Sequence, residues 1–257
     1  MRILAVGDIV GKTGLQKLKS ILPNLIKEKN IDFIIVNGEN AADGMGITEK
    51  MYREILSLGV NVVTMGNHTW GKKEIFNFID HKQIIRPANY PLNNPGKGYN
   101  IYECKGKNIA VINLIGRTTM TVLSENPFLV VDEIINEIKD VTDIIIVDFH
   151  AEATAEKIAL GYYLDGRATI VFGTHTHVQT ADEIILEKGT AYITDIGMTG
   201  PKRSVIGMDV EVSLKRFATS LPERYKLSSD SEGKFNSCMF EINDKTNKVE
   251  KVERINK

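Results

Sequence analysis

The chain has 257 residues, of which 42% are hydrophobic and 25% charged, a composition typical of a soluble globular protein, and its length predicts a single domain over residues 1–257. Its 32 basic and 33 acidic residues give a net charge of −1, which excludes a global field that would draw the protein to nucleic acid or to a membrane. The two cysteines, Cys104 and Cys238, lack metal-ligand spacing, and no apolar run is long enough to span a membrane, so we expect a cytoplasmic protein with reduced thiols.

Short apolar runs alternate with helix-like segments along most of the chain. Runs rich in Val and Ile that stop at turn residues predict buried strands, and the segments between them predict helices. Thr48 is the predicted N-cap of one helix. The alternation predicts a layered α/β fold with a largely parallel centre. In chain order the elements are strand Ile3–Val6, helix Gly14–Lys29, strand Phe33–Val36, helix Thr48–Leu58, strand Val60–Met65, helix Lys73–Ile79, strand Ile109–Leu114, helix Phe128–Lys139, strand Ile144–Phe149, helix Thr154–Leu164 and strand Thr169–Phe172.

The pattern departs from this alternation at two places. Residues 99–113 hold Lys105-Gly106-Lys107-Asn108 between two strand-like runs, which predicts a hairpin. After Asp182 strands dominate, and a polar loop is predicted at Leu227–Asn236. We therefore predict a β-sandwich that is flanked by helices and whose second sheet is more antiparallel than the first. The late strands are Glu183–Leu186, Ala191–Thr194, Cys238–Ile242 and Lys248–Val252.

Polar side chains stand where five of the predicted strands end. The carboxyl ends of parallel strands share one edge of a sheet, which is where ligands bind in α/β proteins, so these side chains are expected to converge. Three of them directly follow a glycine, which lets the backbone turn sharply and approach a ligand. The residues are Asp8, Glu39, Asn40, Asn67, His68, His150, His175 and His177.

The histidines strengthen this interpretation. The chain has five, and only His81 lies away from a strand end. Mixed oxygen and nitrogen ligands suit manganese, iron or zinc better than calcium or magnesium, and the lack of a nearby cysteine argues against a structural zinc site. Asp148 and Glu152 flank His150, and the sequence leaves two interpretations open for them: partners of imidazole N–H groups, or solvated charges.

In this order the residue blocks resemble those of the calcineurin-like metallophosphoesterases. Two departures, Val10 in place of a metal-binding histidine and Glu39 in place of a bridging aspartate, resemble the YmdB-type branch. Members of that branch are similar to this chain over essentially its whole length and are described as phosphodiesterases that act on 2′,3′-cyclic nucleotides. The blocks are Gly7-Asp8, Gly38-Glu39-Asn40, Gly66-Asn67-His68, His150 and Gly173-Thr174-His175-Thr176-His177.

The resemblance implies a metallophosphoesterase-like sandwich with two transition-metal ions per chain, iron or manganese first and zinc next. It implies that Glu39 bridges the two ions and that His68 is the general acid, while hydroxide held by the metals attacks phosphorus. Two such ions would activate a water, orient the phosphate and stabilise charge on the attacking and leaving oxygens, and an imidazole is suited to protonating the latter. The remaining ligands would be Asp8, Asn40 and His177 for the first ion and Asn67, His150 and His175 for the second.

Two rival functions share these residues. A phosphomonoesterase uses the same kind of metal cage. A regulatory protein would keep the metals and act through a partner, but it would not need His68. The expected partner is a small phosphodiester substrate and not a nucleic-acid polymer, because the sequence shows no basic stripe. General symmetry considerations favour a homo-oligomer.

Overall fold

The computed structural model describes all 257 residues and contains fifteen strands, five α-helices and one 3₁₀ helix, Lys73–Asn77. The helices are α1 Gly11–Lys29, α2 Glu49–Ser57, α3 Pro127–Ile138, α4 Thr154–Tyr163 and α5 Val210–Thr219. The strands are β1 Arg2–Val6, β2 Asp8–Ile9, β3 Phe33–Asn37, β4 Val62–Thr64, β5 Ile84–Ile85, β6 Tyr99–Cys104, β7 Lys107–Ile115, β8 Ile144–His150, β9 Ile170–Thr174, β10 Ile184–Ile185, β11 Ala191–Ile193, β12 Met198–Pro201, β13 Gly233–Lys234, β14 Asn236–Ile242 and β15 Val249–Asn256.

Two six-stranded sheets form the sandwich. The first has the order β15-β14-β1-β3-β4-β5, with β1, β3, β4 and β5 parallel and β14 and β15 antiparallel at one edge. The second has the order β10-β11-β9-β8-β7-β6, with a parallel centre and one antiparallel strand at each edge. The predicted layered α/β sandwich is confirmed.

The prediction that the second sheet is more antiparallel is wrong, because both sheets have three parallel and two antiparallel pairings. The last two strands return to the first sheet, where β14 lies beside β1. The residue pattern of a strand predicts that the segment is a strand but carries no information about which sheet it joins.

Alternation along each strand divides the core into layers. Ile3 and Ala5 of β1 face the second sheet, whereas Leu4 and Val6 face α1 and α2. The second sheet likewise packs one face against the first sheet and the other against α3 and α4. Strands buried on both faces need apolar residues at nearly every position, which explains the continuous apolar runs in the sequence.

Local signals fix several of the connections. The Thr48 hydroxyl accepts a hydrogen bond from the N–H of Met51 at 3.2 Å, which confirms the predicted N-cap. Lys105 and Gly106 both have positive φ, 52° and 72°, and form the turn of the predicted hairpin.

Two predicted segments differ from the structure. Lys73–Ile79 is not an α-helix but a short 3₁₀ helix that stops at Asn77. The predicted loop Leu227–Asn236 includes β13, which is held by antiparallel pairing with β12 that no local pattern announces. None of the helices combines the length and the apolar character needed to cross a membrane.

A third, small sheet completes the edge where the strands end. Its order is β13-β12-β2, and β2 pairs in parallel with β12, so Asp8 lies opposite Met198. Gly7 separates β1 from β2, and a Cβ there would come within 2.2 Å of the Gly197 carbonyl oxygen. This close approach turns the chain so that Asp8 enters the edge formed by the carboxyl ends of β3, β4, β8 and β9.

Candidate metal centre

Five chain segments deliver the predicted site residues to one place, and the structure brings all eight of them together. Asp8 comes from β2, Glu39 and Asn40 follow β3, and the other five lie at the ends of β4, β8 and β9. Gly66 makes the convergence possible. A Cβ on Gly66 would lie 2.3 Å from Glu39 Oε2 and 2.4 Å from His150 Nε2, so only glycine fits between these two groups.

Four potential ligand atoms form a group that we call the His150 cluster: Glu39 Oε1, Asn67 Oδ1, His150 Nε2 and His175 Nδ1. His150 Nε2 lies 3.1 Å from Glu39 Oε1 and 3.0 Å from both Asn67 Oδ1 and His175 Nδ1. Donor atoms of Glu39, His150 and His175 all lie within 4.8 Å of one another. Two imidazole nitrogens, a carboxylate and an amide oxygen form a donor set that fits a transition-metal ion.

A second group, the Asp8 cluster, consists of Asp8 Oδ1, Glu39 Oε1 and His177 Nε2, gathered around the side-chain amide of Asn40. The Asn40 nitrogen lies 3.4, 3.1 and 3.2 Å from these atoms, respectively. Its oxygen instead faces His68 Nδ1 at 2.8 Å. A half-turn of the amide would present Oδ1 to the same three atoms, as a ligand role for Asn40 requires. Glu39 Oε1 belongs to both clusters.

The ring nitrogens of His150 and His175 that point away from the His150 cluster are each connected to a carboxylate, directly for His175 and through a threonine hydroxyl for His150. His150 Nδ1 lies 2.9 Å from Thr174 Oγ1, and that hydroxyl donates to Asp148 Oδ1 at 2.8 Å. His175 Nε2 lies 3.1 Å from Glu152 Oε2. Such contacts orient an imidazole and fix which nitrogen is free to bind a metal. Asp148 is thus a buried partner of His150 through Thr174, and Glu152 contacts His175 directly although its side chain is 53% exposed.

His177 and His68 occupy different environments. The Nδ1–H of buried His177 donates to the Ile206 carbonyl oxygen at 2.7 Å, which leaves Nε2 free toward the Asp8 cluster. The side chain of His68 is 31% exposed, at the rim of the site, and its backbone N–H donates to Glu39 Oε2 at 2.9 Å. Its Nδ1 lies 3.4 Å from Glu39 Oε1. His68 therefore adjoins both clusters without belonging to either donor set.

Burial and charge act against each other in this site. Burial alone would raise the pKa of Glu39, but the charges and hydrogen bonds of His150 and His68 outweigh it and hold the pKa well below its usual value. Burial would lower the pKa of His150, but Glu39, Asp8 and Asp148 outweigh it and raise the pKa to about 9. Burial and then the charge of His150 lower the pKa of His175 to about 3. The site thus combines an ionised Glu39 carboxylate and a neutral His175 imidazole with a protonated His150, whose proton a bound metal would displace.

Burial and neighbouring charges also have opposite effects on the pKa of Asp8. Burial would raise its pKa, but the hydrogen bond and charge of His177 and the charge of His150 lower it. Burial raises the pKa of Asp148 to about 6, and its Oδ2 has no hydrogen-bond partner.

Sequence reasoning missed Thr174 and the Ile206 carbonyl, two of the groups that orient the site. Thr174 directly precedes His175 in the Gly-Thr-His-Thr-His block, so a hydroxyl beside a candidate ligand was a usable signal. The Ile206 carbonyl was not predictable, because a backbone oxygen supplied by a distant loop leaves no trace in residue type.

Comparison with known proteins places this geometry in a family context. A model of the family described as "YmdB-like protein" matches residues 4–255. The chain is 53% identical over 258 residues to the 2′,3′-cyclic-nucleotide 2′-phosphodiesterase of Bacillus subtilis (strain 168), covering 99% of this chain and 96% of the relative. It is 39% identical over 262 residues to a putative phosphatase/phosphodiesterase of Mycoplasma pneumoniae, covering 99% and 92%.

Solved structures agree in fold. A crystal structure described as a novel phosphatase from Mycoplasma pneumoniae superposes with a TM-score of 0.94 at 39% identity, covering 100% of this chain and 93% of the other. A protein from Thermus thermophilus superposes with a TM-score of 0.93 at 37% identity, covering 100% and 99%. A putative 5′-nucleotidase from Staphylococcus aureus, at 15% identity and a TM-score of 0.60 over 99% of this chain and 54% of the other, shares the fold alone.

Proposed function

Because the chain belongs to the YmdB-like protein family and is a phosphoric diester hydrolase, we propose that it hydrolyses small phosphodiesters, 2′,3′-cyclic nucleotides in particular, with two transition-metal ions. One observation carries the two-metal part: Glu39 Oε1 is shared by the two clusters, lying 3.1 Å from His150 Nε2 in one and 3.1 Å from the Asn40 amide in the other. A carboxylate shared in this way is suited to bridging two cations.

Each cluster of candidate ligands would hold one of the two ions. This mixture of oxygen and nitrogen donors suits iron, manganese or zinc, and the family resemblance favours iron or manganese among them. When bound, a pair of ions supplies charge stabilisation at the attacking and leaving oxygens and lowers the pKa of a water. Asp8, Asn40 and His177 would hold the first ion, Asn67, His150 and His175 the second, and Glu39 both.

Asn40 would connect the first ion to proton transfer. Turning Asn40 Oδ1 toward the Asp8 cluster places its Nδ2 against His68 Nδ1, at the position 2.8 Å away that the oxygen now occupies. In that orientation the amide N–H would face Nδ1 and disfavour a proton there, so His68 could not carry the second proton that makes the ring acidic. In the orientation that the structure shows, Oδ1 accepts from the Nδ1–H, and a doubly protonated ring would give its Nε2 proton to the leaving ribose oxygen and remain neutral with its last proton on Nδ1. Asn40 would thus bind the first ion in one orientation of its amide and support proton transfer by His68 in the other.

The chain's charge favours small substrates. With a net charge of −1, the protein lacks the basic footprint that binding of a nucleic-acid polymer requires. A phosphomonoester is the second candidate substrate, because the Mycoplasma pneumoniae relative is named a phosphatase/phosphodiesterase.

The test compares three substrates on purified, metal-loaded protein at physiological salt: a 2′,3′-cyclic nucleotide, a nucleoside monophosphate and single-stranded RNA. We expect the highest turnover on the cyclic nucleotide, with loss of activity after chelation and recovery after remetallation. Faster release of phosphate from the monoester would favour a phosphomonoesterase, and faster cleavage of internal RNA linkages would contradict the preference for small diesters. No turnover of any ester by protein that holds two ions would support a regulatory role.

A further inference from the structure

A buried ion pair lies beneath the turn that carries His175 and His177. Asp195 follows β11, and its Oδ2 accepts from Lys157 Nζ of α4 at 2.6 Å, with the side chains of both residues only 1% exposed. Neither residue forms a hydrogen bond or ion pair with a ligand atom of the two clusters. A buried ion pair is a weak source of stability because both charges must be desolvated, so its presence here calls for a further reason.

Asp195 holds the turn between the two histidines. Its Oδ2 accepts from the backbone N–H of Thr176 at 3.1 Å and from the Thr176 hydroxyl at 2.8 Å. His175 and His177 on either side have φ values of 99° and 64°, in a region that few residues other than glycine occupy, and the value for His175 lies outside the usual left-handed range. The carboxylate thus supplies the contacts that keep this strained turn in place.

The other oxygen of Asp195 reaches toward Asp8. Oδ1 accepts from the N–H of Gly197 at 2.8 Å, and the Gly197 carbonyl accepts from the N–H of Asp8 at 3.2 Å. One carboxylate therefore connects, through a single intervening residue on each side, the segments that supply Asp8 and His177.

Lys157 of α4 supplies the positive charge that pairs with Asp195. Its side chain passes under Gly173, the residue before Thr174, where a Cβ would lie 3.0 Å from Lys157 Cδ. The ammonium balances the charge of Asp195 inside the protein, which allows a carboxylate to act as a multiple acceptor where a neutral side chain would offer fewer lone pairs.

We propose that Asp195, paired with Lys157, is a positioning residue that sets the distance between Asp8 and His177 and so determines the affinity of the Asp8 cluster for its ion. This inference rests on the two-metal site of the proposed function. His175 depends less on Asp195, because Glu152 and His150 also hold its ring. Loss of Asp195 should therefore weaken one ion site selectively.

The main test is Asp195→Asn, whose amide has one acceptor oxygen and cannot replace a carboxylate that accepts four hydrogen bonds. We expect affinity for one of the two ions to fall about 10- to 100-fold, the usual effect of losing an outer contact of a metal ligand, while the other ion binds nearly as in wild type. Asp165→Asn is the matched control. Asp165 is also buried and accepts two backbone N–H groups, but these belong to Lys188 and Thr190, which are not part of either cluster. Calorimetric titration of the apoproteins with Mn²⁺ measures both affinities.

A second pair of variants tests the inference even if Asp195→Asn does not fold. Thr176→Val removes the hydroxyl contact with Asp195 and Thr176→Ser retains it, so the valine variant should bind one Mn²⁺ about tenfold more weakly than the serine variant. Equal affinities in these two variants, or equal weakening of both sites in Asp195→Asn, would overturn the inference. Unchanged binding of two ions by Asp195→Asn would overturn it while leaving the two-metal proposal intact. A wild type that binds only one Mn²⁺ would overturn both.

Discussion

Gly66→Ala is a single-methyl perturbation of the centre of the site. Gly66 does not have a positive φ, so alanine is compatible with its backbone, and the effect must come from contacts alone. The added Cβ would lie 2.3 Å from Glu39 Oε2 and 2.4 Å from both Cδ2 and Nε2 of His150. The methyl group would therefore push on the shared carboxylate and on a candidate ligand at the same time.

The size of the effect follows from these distances. Carbon atoms in contact lie roughly 3.5–4.0 Å apart, so Glu39 and His150 must retreat by about 1 Å. Both side chains are fully buried, so their retreat would displace the neighbours that they contact. Overpacking of this kind costs about 1–3 kcal/mol. A displacement of about 1 Å at reacting groups costs on the order of 10²-fold in rate.

The assay measures three quantities on one preparation: bound metal, turnover of a 2′,3′-cyclic nucleotide and the thermal midpoint of the apoprotein. We expect turnover to fall about 10²-fold with weaker metal binding, and the midpoint to fall by roughly 2–4 °C per kcal/mol. Gly106→Ala is the control, because a Cβ there meets nothing within 4 Å, although its φ of 72° adds local strain far from the site. Gly66→Ala with wild-type turnover and metal content would refute the steric argument.

Two further substitutions separate charge from proton transfer. Glu39→Gln keeps the shape of the side chain but removes the charge shared by the clusters. Both ions should therefore bind more weakly, and activity should vanish. Binding of two ions with unchanged affinity would exclude a bridging role for Glu39. His68→Ala should keep both ions but lose about 10²–10⁴-fold in rate on a cyclic nucleotide, because the ribose oxygen needs a proton as it leaves. The loss should be smaller on a bis-nitrophenyl phosphate, and equal losses with chemistry rate-limiting would mean that His68 positions the phosphate.

The residues of the site were predictable because each one follows a strand. The apolar runs before Asp8, Glu39 and His150 identified buried strands, and the shared edge of parallel strands implied that the side chains meet. Two-residue strands such as β2 and β5 could not be predicted, since they exist only through pairing with distant segments.

Sequence reasoning also left out one helix and Asp195, whose local sequences give no signal of their place in the fold. Helix α5 was not predicted, and it buries only Ser213, so it has no apolar stripe facing the core. Leu214 and Phe217 on this helix are largely exposed, at 57% and 74%. Asp195 illustrates the same point at the site. Its four hydrogen bonds come from residues 157, 176 and 197, and no spacing in the sequence associates these positions.

The metal content of the wild-type protein tests the central claim most directly. Seven candidate ligands lie in two clusters that share one carboxylate, an arrangement suited to two ions. After gentle purification and remetallation with iron or manganese, elemental analysis should find close to two ions per chain. A ceiling of one ion per chain under saturating metal would contradict the two-metal account.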